Sequence, residues 1–190
     1  MSEGVPNPWK TLSSKRIYSN PWITLREDQV IKPNGTPGIY GVVTPRIATG
    51  VVALDKNLNV VLVGQYRYTV NEYSWEIPEG GAEKDESPIA AIKRELLEEA
   101  HLKASIWEPL SGGEIHLSNC FTDERAFLFL ARDLQEVPVD EIHSGDDTEV
   151  LQLKKIPLKE ALSMAQKGEI KDALTIIGLH LTVAKLGGLS

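Results

Sequence analysis

The chain has 190 residues, 42% of them apolar and 25% charged, with a formal net charge of −7. That composition suits one medium-sized domain, or a domain with a small appendage, and supplies a core that needs no covalent staples. The acidic balance excludes the basic footprint of a nucleic-acid-binding surface, and the single cysteine, Cys120, excludes an intramolecular disulfide. No apolar run approaches a membrane span and MSEGVPNPWK lacks the apolar centre of a secretion signal, so the expectation is a soluble cytoplasmic protein without membrane or nucleic-acid partners.

In chain order, residues 1–16 are polar, broken by Pro6 and Pro8, and read as a loosely held lead-in. Residues 22–31 alternate roughly in period two, Pro33-Asn34-Gly35 marks a turn, and residues 39–43 read as the return strand. An antiparallel unit of about forty residues is too small to be stable alone. It must pack on the rest of the chain or on a second subunit. Trp22 within it reads as a core anchor or as a stacking platform for a base, with the core reading preferred.

Beyond Pro45, residues 47–54 and 59–66 are rich in β-formers and joined by Asp55-Lys56-Asn57, a hairpin signal. The second run ends in Gln65-Tyr66-Arg67-Tyr68. Arg67 there either pairs with phosphate or carboxylate, or simply closes a sheet at the surface. A short strand over 73–78 leads into Glu79-Gly80-Gly81, and a helix follows with Ser87 as N-cap and Pro88 in its first turn. Ile89, Ile92, Leu96 and Ala100 give that helix an apolar stripe. Further strands are expected over 104–110, 113–117, 125–131 and 149–153, with 125–131 reading as fully buried. An acidic loop over 135–147 contains Asp140, Glu141, Asp146 and Asp147. Helices are expected over 157–166 and from Asp172, as N-cap, to Gly187-Gly188. Strands, helix, strands, helices in this order imply an α/β fold with a mixed sheet between helical layers.

Chemistry concentrates between Gly80 and Leu102. Glu95, Glu98 and Glu99 share one helix face, where like charges three or four residues apart repel by roughly 0.2–0.5 kcal/mol per pair. They also lie toward the helix C-terminus, which disfavours negative charge. A divalent cation would relieve both conflicts.

The spacing Gly80, five residues, Glu86, seven residues, Arg94-Glu95-Leu96-Leu97-Glu98-Glu99 resembles the Nudix box, G-x5-E-x7-R-E-U-x-E-E-x-G-U with U apolar. This is the signature of hydrolases acting on a nucleoside diphosphate linked to another moiety. Leu102 meets the last position, and His101 stands where the pattern has glycine. Histidine tolerates the positive φ expected there, so local strain without loss of chemistry is the expectation. The resemblance implies a Nudix α/β/α sandwich with a mixed sheet over 46–190, preceded by a small antiparallel β unit over 1–45 that serves dimerisation. It implies that Glu95, Glu98 and Glu99, with the backbone carbonyl of Glu79, hold Mg²⁺, with Mn²⁺ as a possible substitute; hard ions of this kind favour oxygen ligands. Arg94 and Glu86 would brace loop against helix.

The flanks resemble the ADP-ribose pyrophosphatase and nucleoside-diphosphate-sugar hydrolase branch: Asn20-Pro21-Trp22, Gly64-Gln65-Tyr66-Arg67-Tyr68, Trp75-Glu76-Ile77-Pro78-Glu79-Gly80-Gly81, and Phe127 to Arg132. The branch implies a homodimer, a nucleotide-sugar substrate, and substrate contacts from Arg67, Glu76 and Trp22, the last serving the neighbouring subunit. Ser118-Asn119-Cys120 lacks the proline of the Ser-Pro-Gly found in many ADP-ribose-specific relatives, which leaves GDP-mannose and other diphosphate sugars open. Hydrolysis would give a nucleoside monophosphate and a sugar phosphate. Asp146 and Asp147 are the first choices for the general base, then Glu141 and Glu149; Glu98 also belongs to the catalytic set. Simple exposure explains the acidity of that loop equally well. A nucleoside triphosphate house-cleaning hydrolase and a non-catalytic ligand sensor are the alternatives. The N-terminal unit and the Arg67 segment weigh against the first, and the complete glutamate set against the second.

Overall fold

Three strands open the fold: β1 (Lys10–Ser19), β2 (Ile23–Ile31) and β3 (Pro37–Pro45), an antiparallel sheet in that order. The computed structural model describes residues 4–138 and 151–188, and these strands belong to one of two units, completed by His116–Arg125. The turn between β2 and β3 closes through Gly35 at φ 81°, whose N–H donates to Lys32 O at 2.8 Å. His116–Arg125 attaches to β3 through Val43 N–H to Phe121 O at 2.9 Å and Tyr40 Oη to Cys120 O at 2.6 Å. Arg26 and Thr44 both donate to Asp123 at 2.9 Å.

This unit corrects two expectations. The lead-in is not loose: from Lys10 it forms β1, paired residue by residue with β2. Every residue of β1 is exposed and its register shifts twice, so the buried/exposed alternation that marks a strand is missing from its sequence. Trp22 is 64% exposed, which overturns its reading as a core anchor.

The second unit spans Ile47–Ile115 and the described residues from Ala126 onward. Its mixed sheet runs β7 (Glu79–Gly81), β4 (Ala48–Ala53), β9 (Ala126–Glu136), β8 (Leu102–Pro109), with β4 parallel to β9 and the other pairs antiparallel. A second, antiparallel sheet runs β10 (Gln152–Pro157), β5 (Asn59–Arg67), β6 (Glu72–Glu76). Here the expected hairpin is corrected. β4 and β5 lie in different sheets and share only the bridge Leu54–Val60, because both edges of β4 are taken by β7 and β9. The turn itself is present, with the Asp55 carboxylate accepting from the Asn57 and Asn59 N–H groups at 2.8 Å each. Residues 113–117 supply one isolated bridge, Ile115–Ala126, and no strand. The last strand is Gln152–Pro157, later than expected, and α2 (Leu158–Gln166) follows at once.

Strand alternation sorts the core of this unit into two layers. Val51 and Ala53 of β4 pack with Ile92, Leu96 and Ala100 of α1 (Pro88–Ala100), together with Val61, Leu102 and Ala131. Gly50 and Val52 face the other way, toward Ile77, Leu128 and α3 (Ala173–Lys185). A methyl on Gly178 would lie 3.1 Å from Val52 Cγ2, so glycine there lets α3 approach the sheet closely. Each fully buried Leu or Ile contributes about 1.5–3 kcal/mol over its exposed state. Helices on both faces of a mixed sheet are the α/β/α layering expected from the element order.

Candidate active site

The loop–helix segment builds the site. Ser87 Oγ accepts from Ala90 N–H at 3.3 Å and Pro88 opens α1, so the helix begins where the sequence says. Arg94 bonds the Glu86 carboxylate at 3.1 and 3.3 Å and Gly81 O at 3.3 Å, fastening the loop to the helix. Its Nη1 also donates to Glu95 Oε1 at 2.7 Å and Glu98 Oε2 at 3.1 Å. Part of the like-charge repulsion on this face is thus relieved by the guanidinium. Hydrogen bonds from Arg94 hold the Glu86 carboxyl below its usual range. At the other end His101 takes φ 55°, the left-handed C-cap, and its N–H reaches Leu96 O and Leu97 O.

β7 brings the loop backbone to the glutamates. Val51 N–H donates to Pro78 O at 3.0 Å and Ala82 N–H to Ile47 O at 2.8 Å. In an antiparallel ladder alternate residues direct their polar backbone groups to opposite edges, so Glu79, opposite Gly50, turns its N–H and C=O away from β4. Its N–H meets Glu99 Oε2 at 3.0 Å. Glu99 is buried at the edge of the α1 stripe. The Glu95 carboxylate lies against Gly80, where an added Cβ would come within 2.2 Å of Glu95 Cδ, so any larger residue there must push Glu95 aside.

The Glu79 side chain points into a second group. Arg67 Nε donates to both carboxylate oxygens of Glu76 at 3.0 Å, and Arg67 Nη2 to Glu76 Oε2 and to Glu79 Oε1, the latter at 2.9 Å. Of the readings open to Arg67, carboxylate pairing is the one seen. Among the described residues, Glu76, Glu79 and Asp172 each bring a carboxylate oxygen within 4.8 Å of the others. They line a cleft of about 800 Å³ with Arg67, Tyr73 and Lys171. Burial pushes the Glu79 carboxyl well up, reinforced by Asp172 and Glu76. Burial pushes Glu76 the same way, but the Arg67 hydrogen bonds prevail and hold it down.

The structure therefore gathers Arg67, Glu76 and Glu79 in one network, links it through the Glu79 backbone to Glu99, and sets Glu95 on Gly80. Glu98 sits one turn along, on Arg94. Trp22 belongs to the other unit. Asp146, Asp147, Glu141 and Glu149 lie outside the described residues. Asp172 was legible only as an N-cap, which it is, accepting from Thr175 N–H at 2.7 Å; no spacing ties it to the box. The donors around Glu95, Glu98, Glu99 and the Glu79 backbone are all oxygens, and Gly80 leaves room for a carboxylate at the backbone, a fit to a hard divalent cation.

A loop and helix carrying three glutamates, laid on the edge strand of a mixed sheet sandwiched by helices, defines the Nudix class. A NUDIX domain model matches residues 44–176, and a model of the nucleoside diphosphate sugar hydrolase N-terminal domain matches residues 9–43. The chain belongs to the Nudix family and is a Nudix hydrolase, for which a divalent metal ion is the implied cofactor. It is 33% identical over 177 residues to an ADP-ribose pyrophosphatase of Mycobacterium tuberculosis, covering 90% of this chain and 81% of that protein. It is 32% identical over 172 residues to a methanol dehydrogenase activator of Bacillus methanolicus, covering 90% of each. A crystal structure described as an ADP compounds hydrolase superposes with a TM-score of 0.81 at 18% identity, covering 97% of both chains, a likeness of fold.

Proposed function

We propose that the protein hydrolyses the pyrophosphate bond of nucleoside diphosphate sugars, with ADP-ribose as the first candidate substrate, yielding a nucleoside monophosphate and a sugar phosphate. The observation that carries this is the Glu79–Gly80 backbone held between the Glu95 and Glu99 carboxylates. Glu95, Glu98, Glu99 and the Glu79 carbonyl hold Mg²⁺, or Mn²⁺ in its place. Such an ion, when bound, would supply positive charge against the diphosphate and a water of lowered pKa. Arg67, kept at the cleft by Glu76 and Glu79, offers its guanidinium to a phosphate oxygen. Asp146 or Asp147, then Glu141, takes the proton from the attacking water.

The exposed strand β1 and exposed Trp22 support a homodimer built through the N-terminal unit, residues 1–45, with Trp22 serving the neighbouring subunit's substrate. No helix of the described residues is long and apolar enough to cross a membrane; the lone cysteine, Cys120, suits a reducing compartment and supports the cytoplasm as its location. GDP-mannose or another diphosphate sugar is the second candidate substrate, left open by Ser118-Asn119-Cys120, which lacks the proline of many ADP-ribose-specific relatives.

Incubation with Mg²⁺ and ADP-ribose, GDP-mannose, other diphosphate sugars, dinucleoside polyphosphates and nucleoside triphosphates, with products separated by ion exchange, tests this reading. The expected result is turnover of a diphosphate sugar to two monophosphates. Turnover of triphosphates alone, or tight binding of one member without turnover of any, overturns it.

A further inference from the structure

Two threonines that take no part in the motif hold the backbone on which the site depends. Thr49 and Thr175 are both fully buried, on β4 and α3 respectively. Thr175 Oγ1 accepts from Ile77 N–H at 2.9 Å, and its own N–H donates to Asp172 Oδ2 at 2.7 Å. Thr49 Oγ1 donates to Gly80 O at 3.0 Å. Between these anchors Pro78 O accepts from Val51 N–H, and Glu79 N–H donates to Glu99. Pro78 has no N–H to offer and restricts Ile77 to extended conformations. The peptide groups flanking the Glu79 carbonyl are thus fixed by partners from β4 and α1, and Thr175 of α3 anchors the same backbone two residues upstream, at Ile77 N–H. The carbonyl is left facing α1.

We propose that Thr49 and Thr175 are positioning residues that aim the Glu79 carbonyl at the metal held by the α1 glutamates, an inference that rests on the metal-binding reading above. Residues outside a metal's own ligands commonly act this way, orienting the groups that touch it. α3, which the box motif does not include, then becomes part of the metal site through one hydroxyl group.

The test is Mn²⁺ binding to the substrate-free protein, followed by the EPR signal of free Mn²⁺, with thermal unfolding of the metal-free protein measured alongside. Thr175→Val keeps the shape of the side chain but removes the acceptor for Ile77 N–H. It should weaken Mn²⁺ binding by about tenfold or more. Thr175→Ser should restore it to within about twofold of wild type. Thr49→Val, altering the other side of the carbonyl, should weaken binding in the same direction and gives an independent reading should Thr175→Val not fold. A lowered unfolding temperature with unchanged Mn²⁺ affinity in both valine variants makes the threonines merely structural and overturns the proposal. Glu98→Gln separates the premise from the inference. If wild type binds no Mn²⁺, or binds it equally well with Glu98→Gln, the α1 metal site itself fails and the positioning role falls with it.

Discussion

Gly80 shows how much a single residue fixes here. A methyl group at this position collides with the Glu95 carboxylate, so Gly80→Ala should displace Glu95 from the loop. Because a flexible side chain moves aside, the cost in stability should stay under about 1 kcal/mol, read by urea unfolding, while activity should fall; wild-type turnover contradicts the packing. Glu86 gives a prediction in pH. Arg94 holds its folded-state pKa below the ordinary 4.5, so its stabilising contribution is present above that value and is lost as pH falls through the depressed one. Wild type and Glu86→Gln should therefore differ in unfolding free energy near neutral pH, and the gap should narrow as the pH is lowered below the ordinary carboxylate range. A gap that persists there points to a cause other than the ion pair.

At the scale of elements, α1 was the most legible part of the chain. Its cap, proline, apolar stripe and glutamates all repeat at local helical spacing, and the left-handed cap at His101 followed from the motif's glycine. Because His101 holds φ 55°, His101→Gly should relieve the cap, raising stability by about 0.5–1 kcal/mol while leaving turnover as in wild type. A lower unfolding temperature contradicts this. The strands were less legible where partners are distant in sequence. β4 and β5 adjoin along the chain, yet β4 pairs with β9, and a turn signal between two β-rich runs carries no information about which sheet each run joins. β1 has no buried face to leave a pattern. Asp172 and Thr175 reach the Glu76–Glu79 segment only through tertiary packing of α3. No spacing rule in the sequence connects them to the box.

For the whole molecule, four elements meet: α1 brings the carboxylates, β7 the Glu79 backbone, and β5 and β6 the arginine and its glutamate partner. Asp172, at the head of α3, joins the last of these. The ion pairs of Arg67 and Arg94 bridge the acidic groups and offset part of their mutual repulsion. The most direct test of this assembly is ³¹P NMR of ADP-ribose incubated with Mg²⁺ and either wild type or Glu98→Gln. Wild type should convert the diphosphate resonances into two monoester signals, those of a nucleoside monophosphate and a sugar phosphate. Glu98→Gln should do so about 10²–10³-fold more slowly, the loss typical when a charge-stabilising group is taken from an active site. Equal rates for the two proteins, or diphosphate left intact by wild type across the nucleoside diphosphate sugars, would contradict the account.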